Sequence, residues 1–417
     1  MSSARKEARS AGKCAPRLTL LTHSFWPESS PPQRRWSALV REFSAAGWQI
    51  DVIAPVAHTP HGRRELPRKM AGRAFRSQTG KYAERIRRVP YLRHGNSHAA
   101  KFLDQCFSAL LSVPLGLLTR RSDVLLVTVP SLPMLGAGYV LAKLRKVPLV
   151  VEMRDAWPDL ARDARLVQGN VKSLAERAVE FVQRRADLVV TVTEGFAETL
   201  RARGLANVAT VSNGVRLDSL PAFEPPPLEK PVFEALYLGN HGESQWLEVA
   251  IRASALVGES MHLHMVGQGV RRPALQALAR DLKAPVTFHD PLHGQDVIDR
   301  YASADTCIVS LRDDWKSFDH TVPSKTYEVL AIGRHVTAIV RGEAARIIEK
   351  SGAGDIVPTD PEAVADLWRA LANDRGRLVR NADSRQWVKE NADYPQLAAR
   401  YMGLIHDLLA AKRGDDK

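Results

Sequence analysis

The chain has 417 residues, 45% hydrophobic and 25% charged, enough for about two domains with large buried cores. Three cysteines, Cys14, Cys106 and Cys307, are odd in number and far apart, which argues against a disulfide framework or a CxxC zinc site and favours a reducing compartment. The net charge of +13 is uneven: residues 1–120 hold 21 Lys and Arg against 7 Asp and Glu, and the remainder holds 38 against 39.

Residues 1–16 are basic and polar without an apolar stretch, so they read as a disordered arm and not a secretory signal. RLTLLTH (17–23) reads as a buried strand ending in the loop SFWPESSPPQ. A helix over 34–46 closed by Gly47 and the strand QIDVIAP (49–55) follow. The basic excess concentrates in 63–93 and leads into the apolar run FLDQCFSALLSVPLGLL (102–118). That run is too short to span a bilayer and carries Asp104 and Pro114. Two readings stay open for the pair: a membrane-surface element, with cations on anionic headgroups beside an apolar face, or a solvated basic loop followed by a buried helix. Nucleic acid is disfavoured, because no aromatic-rich basic motif or known nucleic-acid module accompanies the charge.

Strand DVLLVTV (123–129), helix 133–144, strand PLVVEMRD (148–155), helix 171–185, strand DLVVTVT (187–193), helix 194–203 and NVATVSNGV complete a βαβ series. The proline-rich 216–233 reads as a linker. The alternation then restarts with strands at 234–240, 261–267, 285–290, 306–311, 335–340 and 354–358, separated by helices, and a final helix falls near 395–412. The expected fold is therefore α/β: an N-terminal doubly wound domain (17–215) with a basic insertion at about 59–118, and a second such domain (234–390). A C-terminal helix (391–417) can cross back to the first. Two sheets joined by a linker imply an interdomain cleft, the usual place for a ligand.

One segment has strong chemistry: TVPSKTYEVLAIGRHVTAIVRGE (321–343). A helix opened by Pro323 and stopped by Gly333 puts Ser324, Lys325 and Glu328 in its first turns, where a parallel sheet presents helix N-termini to phosphates. Lys325 can meet charge on a diphosphate, and Glu328, one turn on, can accept hydrogen bonds from ribose hydroxyls. The bland alternative is a surface Lys–Glu pair. Gly239, Asn240, His241 and Gly242 form a turn whose glycines lack side chains, which lets backbone amides approach an anion. In the first half, Asp155 follows a buried strand and can order an acceptor hydroxyl or take its proton; otherwise it caps a turn before Trp157–Pro158. Ser29 and Ser30 can offer hydroxyls, and Arg34 or Arg35 can face the cleft or be solvated at a helix start. His23 reads best as a satisfied core histidine, and Glu152 as structural.

Together VSNGV (211–215), YLGN with Gly242 and Gln245, HMVGQG (265–270) with Gly267, PSKTYEVLAIGRHV, SGAG (351–354) and TDPEAVADL (359–367) resemble the donor half of glycosyltransferase family 4, of GT-B fold. RRWSALVREFSAAGWQIDVIAP and VPLVVEMRDAWPD resemble its acceptor half, nearest to members that act on lipid-linked bacterial surface polysaccharide precursors. The resemblance runs from Arg17 onward and is poor over 59–101. It implies a retaining, metal-independent transfer from a nucleoside diphosphate-sugar to a lipid-linked or glycan acceptor, without cofactor, by a cytoplasmic enzyme peripheral on the inner membrane face. Departures are specific. His320 stands where many members have a first glutamate contacting the sugar, HGESQWLE replaces an arginine and lysine, and serines and prolines replace glycines in PESSPPQRR. More of the diphosphate load then falls on Lys325 and on Arg312.

Rival readings are a nucleotide-sugar epimerase of the same fold, a catalytically silent scaffold and a basic nucleic-acid-binding protein. No metal site is expected: the histidines form no HxxxH with a glutamate, and Asp313–Asp314 is no DxD pair. A GxxxxGK[ST] loop and a GxSxG elbow are also missing.

Overall fold

The computed structural model describes residues 15–28, 30–58, 62–95, 97–129, 131–154, 170–379 and 381–415. The first sheet is built from β1 (Arg17–Leu21), α1 (Pro31–Ala45), β2 (Gln49–Pro55), α2 (Arg68–Ala71), β3 (Ser77–Thr79), β4 (Arg85–Val89), α3 (His98–Leu117) and β5 (Val124–Val129). It continues through α4 (Leu132–Arg145), β6 (Leu149–Met153), α5 (Asn170–Gln183), β7 (Leu188–Thr191), α6 (Glu194–Ala202) and β8 (Val208–Thr210). Strand order is β3-β4-β2-β1-β5-β6-β7-β8, parallel except for the β3–β4 pair. All six residues of β5 are buried, as expected of a central strand with helices on both faces.

The second sheet comprises β9 (Phe233–Leu238), α7 (Glu248–Val257), β10 (Met261–Val266), α8 (Arg272–Asp281), β11 (Val286–His289), α9 (Gln295–Ser303) and β12 (Thr306–Ser310). It ends with α10 (Ser324–Ile332), β13 (His335–Ile339), α11 (Gly342–Lys350), β14 (Gly354–Ile356) and α12 (Pro361–Asn373). Its order is β11-β10-β9-β12-β13-β14, all parallel. The order reverses between β1 and β5 in one sheet and between β9 and β12 in the other. Loops after these strands therefore flank the crevices where such sheets bind ligands.

Three features depart from the sequence reading. The basic stretch 63–93 is neither a plain loop nor wholly free for a partner: β3 and β4 extend the sheet, and buried Arg88 donates to the carbonyls of Pro55 (2.9 Å) and Trp26. A helix, α13 (Asn381–Asn391), went unanticipated. The linker is pinned along its length, because Arg334, Arg375 and Arg385 donate to the carbonyls of Glu224 (2.6 Å), Pro227 (2.7 Å) and Leu220 (3.0 Å). The last helix, α14 (Tyr394–Asp415), does cross back. Its Tyr401 packs on Trp36 and Phe43 at ring separations of 5.9 and 6.1 Å, and Lys412 pairs with Asp187 at 2.7 Å. Among the described residues no helix is long and apolar enough to cross a membrane.

Candidate active site

The start of α10 faces the first domain. Most of this helix is buried, so only its first turns can meet the cleft. Pro323 precedes it without a side-chain cap, leaving its first amides uncapped, and Gly333 stops it in the left-handed region at φ 75°. Ser324 and Glu328 line a cavity of about 290 Å³ together with Arg34, Arg35 and Ala38 of α1, Arg154 after β6, the Asn213–Arg216 segment and Tyr394. Residues up to 360 positions apart thus form one chamber between the sheets, rimmed by arginines on one side and a carboxylate on the other. A larger hollow of about 400 Å³ beside Val179 and Leu205 is lined by the first domain alone, far from any strand switch.

Within the chamber Glu328 is held from two sides. Lys325 Nζ donates to its Oε2 at 2.5 Å, and the buried Tyr301 hydroxyl donates to the same oxygen at 3.4 Å. The lysine–glutamate pair foreseen as the bland alternative therefore exists, and its glutamate lines the chamber. A family model for the glycosyl transferase 4-like domain matches residues 32–214, and one for glycosyl transferases group 1 matches 233–374. The chain belongs to the glycosyltransferases.

Solved structures agree on the fold. Sucrose-phosphate synthase from Thermosynechococcus elongatus superposes with a TM-score of 0.74 at 15% identity, covering 95% of this chain and 100% of that one. HepE of Anabaena in complex with UDP-glucose gives 0.68 at 13% identity, with 94% and 99% covered. WaaG, a glycosyltransferase involved in lipopolysaccharide biosynthesis, gives 0.63 at 15%, with 92% and 98% covered. The glycosyltransferase is of GT-B type. No curated protein sequence matches it.

The other expected site residues fall into groups. Gly239, Asn240, Gly242, Gln245, Gly267 and Arg312 meet at the edge of the second sheet, because β9 pairs with both β10 and β12. Gly267, at φ 138°, lies so close to the Gly239 carbonyl that any side chain would collide with it. Gln245 Oε1 accepts from the Gly242 amide at 3.2 Å, and the Arg312 amide donates to the Ser244 carbonyl at 3.0 Å. The Arg312 side chain, expected to share the diphosphate load, is instead committed to Asp314 through two bonds of 2.5 and 2.6 Å. It lies over the rings of Trp246 and Trp315 at 5.2 and 4.8 Å.

Arg35 lines the chamber as expected, but its guanidinium is already engaged. It is 1% exposed; Nε donates to Glu152 at 3.0 Å, and its other nitrogens donate to the carbonyls of Val211 (2.8 Å) and Ser212. Glu152 also accepts from Trp36 Nε1 at 2.7 Å and Thr128 at 2.8 Å, so this is a satisfied buried network that fixes the chamber wall. Arg34 stays exposed at the chamber. Ser30 caps α1, accepting from the Gln33 amide at 3.3 Å and sharing a proton with Ser24 at 2.6 Å. His320 points to the other domain: its carbonyl accepts from Thr193 at 2.7 Å, and Nε2 lies 3.4 Å from the Thr199 hydroxyl. Ser29 and Asp155 lie outside the described residues.

Sequence reasoning missed Arg154, Tyr394 and Glu343. The Glu343 carboxylate accepts from the amides of Glu194 (2.7 Å) and Gly195 (2.6 Å), which places a second-domain anion on the N-terminus of α6. No local signal marks a contact across 148 residues.

Proposed function

We propose that this glycosyltransferase moves a hexose from a nucleoside diphosphate-sugar to a lipid-linked acceptor for cell-surface polysaccharide or glycolipid, on the inner face of the cytoplasmic membrane. The observation that carries the reading is the chamber that Ser324 and Glu328 of one domain share with Arg34 and Arg154 of the other. As the glycosidic bond to the diphosphate breaks, negative charge grows on the leaving oxygen. Lys325 and the uncapped amides of α10 offset that charge, so this step needs no metal at the diphosphate. Glu328 accepts hydrogen bonds from the ribose hydroxyls, and Asp155 orders the acceptor hydroxyl. With donor and acceptor bound on the same face of the sugar, the anomeric configuration is retained.

Support for the donor comes from HepE, which was solved with UDP and with UDP-glucose, and support for the acceptor class from WaaG and its part in lipopolysaccharide biosynthesis. The test has two arms. Thermal melts with UDP, GDP, ADP and dTDP should show one selective stabiliser. Incubation of the matching donor panel with a native lipid extract should then release that nucleoside diphosphate and label a lipid. If none of the four diphosphates raises the melting temperature and no donor is consumed, the reading is lost. A rearranged donor formed without any acceptor would replace it with epimerisation.

A further inference from the structure

Three adjacent strands of the first sheet, β4, β2 and β1, each deliver a histidine from the loop beyond the C-terminal end: His94, His58 and His23. All three face one carboxylate, Asp104 of α3, which is fully buried. The Nε2 atoms of His58, His23 and His94 lie 2.8, 3.5 and 3.8 Å from the same oxygen, Asp104 Oδ2. The ligand atoms of His23, His58 and Asp104 all fall within 4.8 Å of one another. Edges of a tetrahedron with metal–ligand bonds near 2.0–2.1 Å are about 3.3 Å, inside the observed spread.

The hydrogen bonds of the outer nitrogens sharpen this. His58 Nδ1 lies 2.8 Å from the Val56 carbonyl and His94 Nδ1 2.8 Å from the Gly95 carbonyl. Carbonyls only accept, so both Nδ1 atoms donate, which leaves the two Nε2 atoms as the positions whose lone pairs a cation beside Asp104 would take. The other carboxylate oxygen accepts the Leu92 amide at 2.8 Å, which sets its orientation. His23 Nδ1 is buried and has no hydrogen-bond partner among the described residues, so this ring is not the satisfied core histidine that the sequence suggested. Lone pairs of two imidazoles and a carboxylate that converge in a buried place repel unless a cation joins them. A single proton on His58 satisfies one pair only.

We infer that His23, His58 and Asp104 bind a divalent transition metal ion and that His94, 3.8 Å from Asp104, closes in as the fourth ligand, with Zn²⁺ the ion best matched to imidazoles and one carboxylate. Such an outer shell of backbone carbonyls on Nδ1 is how metal-binding histidines are usually held. The ligands stand at positions 23, 58, 94 and 104, a spacing with no metal signature, which is why the sequence pointed the other way. Its role is structural. His58 also donates its amide to Glu28 Oε1 at 2.7 Å, Glu28 Oε2 accepts from Ser24 at 2.5 Å, and Ser24 joins Ser30 at the start of α1. The ion would thus lock the basic insertion and α3 to the loop that leads to Arg34 and the chamber. None of the four ligands lines that chamber, so the inference does not depend on the transfer reading.

The test uses the full chain with any affinity tag removed, stripped with dipicolinate and reloaded with Zn²⁺ or Co²⁺, then desalted. Elemental analysis should count one Zn²⁺ per chain, and the Co²⁺ form should show the intense visible absorption of a tetrahedral site. Asp104→Ala and His94→Gln should each weaken Zn²⁺ binding more than tenfold. Because Asp104→Ala can compromise folding, His94→Gln, at the cluster's edge, is checked by its circular dichroism. His264→Ala, in a separate histidine group on β10, should keep the ion. A folded wild type that retains no Zn²⁺ and gives no Co²⁺ band overturns the inference, and leaves a proton on His58 as the partner of Asp104. Loss of the ion in His264→Ala with retention in His94→Gln overturns it equally.

Discussion

Glu328 and Lys325 neutralise each other at 2.5 Å while sitting at the chamber, so each substitution exposes the other's charge to the donor. Lys325→Ala leaves an unpaired carboxylate facing a diphosphate; Glu328→Ala frees the lysine but removes the ribose acceptor. Both should lower kcat/KM for the donor at least tenfold, about 1.4 kcal/mol or more. Stability should move by no more than about 1 kcal/mol, because the pair is partly exposed. Initial rates below donor saturation, beside urea melts, check this; wild-type rates in either folded variant remove those roles. His241 supplies a different residue-scale prediction. Buried between the loops after β9 and β10, it has its pKa held down to about 4, chiefly by burial and secondarily by Arg272. An unfolded imidazole titrates near 6.5, so between these values the unfolded chain binds a proton that the folded one refuses. Its contribution is full above pH 6.5 and declines as pH falls toward 4, by up to about 3 kcal/mol. Urea midpoints measured across that window should fall with pH in the wild type and flatten in His241→Asn. Residue types were legible at this scale, but partners were not: Arg35 and Arg312 looked like free cations until Glu152 and Asp314 were seen against them.

Helix α3 is amphipathic in an unusual sense. Asp104, Ser108 and Ser112, four apart, are fully buried, while Leu103, Leu110 and Leu117, seven apart, are 61, 72 and 45% exposed. Phe102 and Leu118 extend the outer stripe. An exposed row of leucines above a buried polar row is what the proposed membrane-facing role would need, with Lys101 on the same helix to meet anionic headgroups. Leu103→Glu with Leu110→Glu should reduce co-sedimentation with vesicles of phosphatidylcholine and phosphatidylglycerol at least tenfold without lowering the melting temperature. Raised salt should weaken the wild type in the same assay. Wild-type protein that stays in the supernatant at low salt would leave the stripe to some other cover. Periodicity placed most strands and helices within one or two residues, because strands such as β5 are continuous buried runs and helices such as α12 open on a capping residue followed by proline. It could not tell which face of 102–118 turns outward, since that depends on the polar partners His23, His58 and His94 brought in by other strands. The edge hairpin β3–β4 escaped for a related reason: RIRRV hides its alternation under arginines, one of which, Arg88, is buried with Ile86 and Val89.

Between the domains, the repeated alternation and the linker made two sheets and a cleft readable, whereas the contact that sets their separation was not. Glu343, the first acid of α11, caps α6 of the opposite domain with two bonds of 2.7 and 2.6 Å, and Thr193 holds the His320 carbonyl beside it. Gly195 keeps this contact close, because a side chain there would push on the His320 ring at 2.6 Å and the Glu343 carboxylate at 2.9 Å. A carboxylate at a helix N-terminus makes charge-assisted bonds, each about 1.5–3 kcal/mol. With the Glu194 amide exposed, solvent screening reduces the pair to about 1.4 kcal/mol in total, which changes the population of the closed arrangement about tenfold. Glu343→Ala should therefore raise the radius of gyration in small-angle scattering and raise the donor KM, because both walls of the chamber are needed at once. Glu343→Gln, which keeps one acceptor but not the charge, should fall between. Gly195→Ala should open the domains by the opposite route, through collision in place of a lost bond, and should show the same scattering shift. Unchanged scattering and KM in all three variants would mean that the linker contacts of Arg334, Arg375 and Arg385 alone fix the separation.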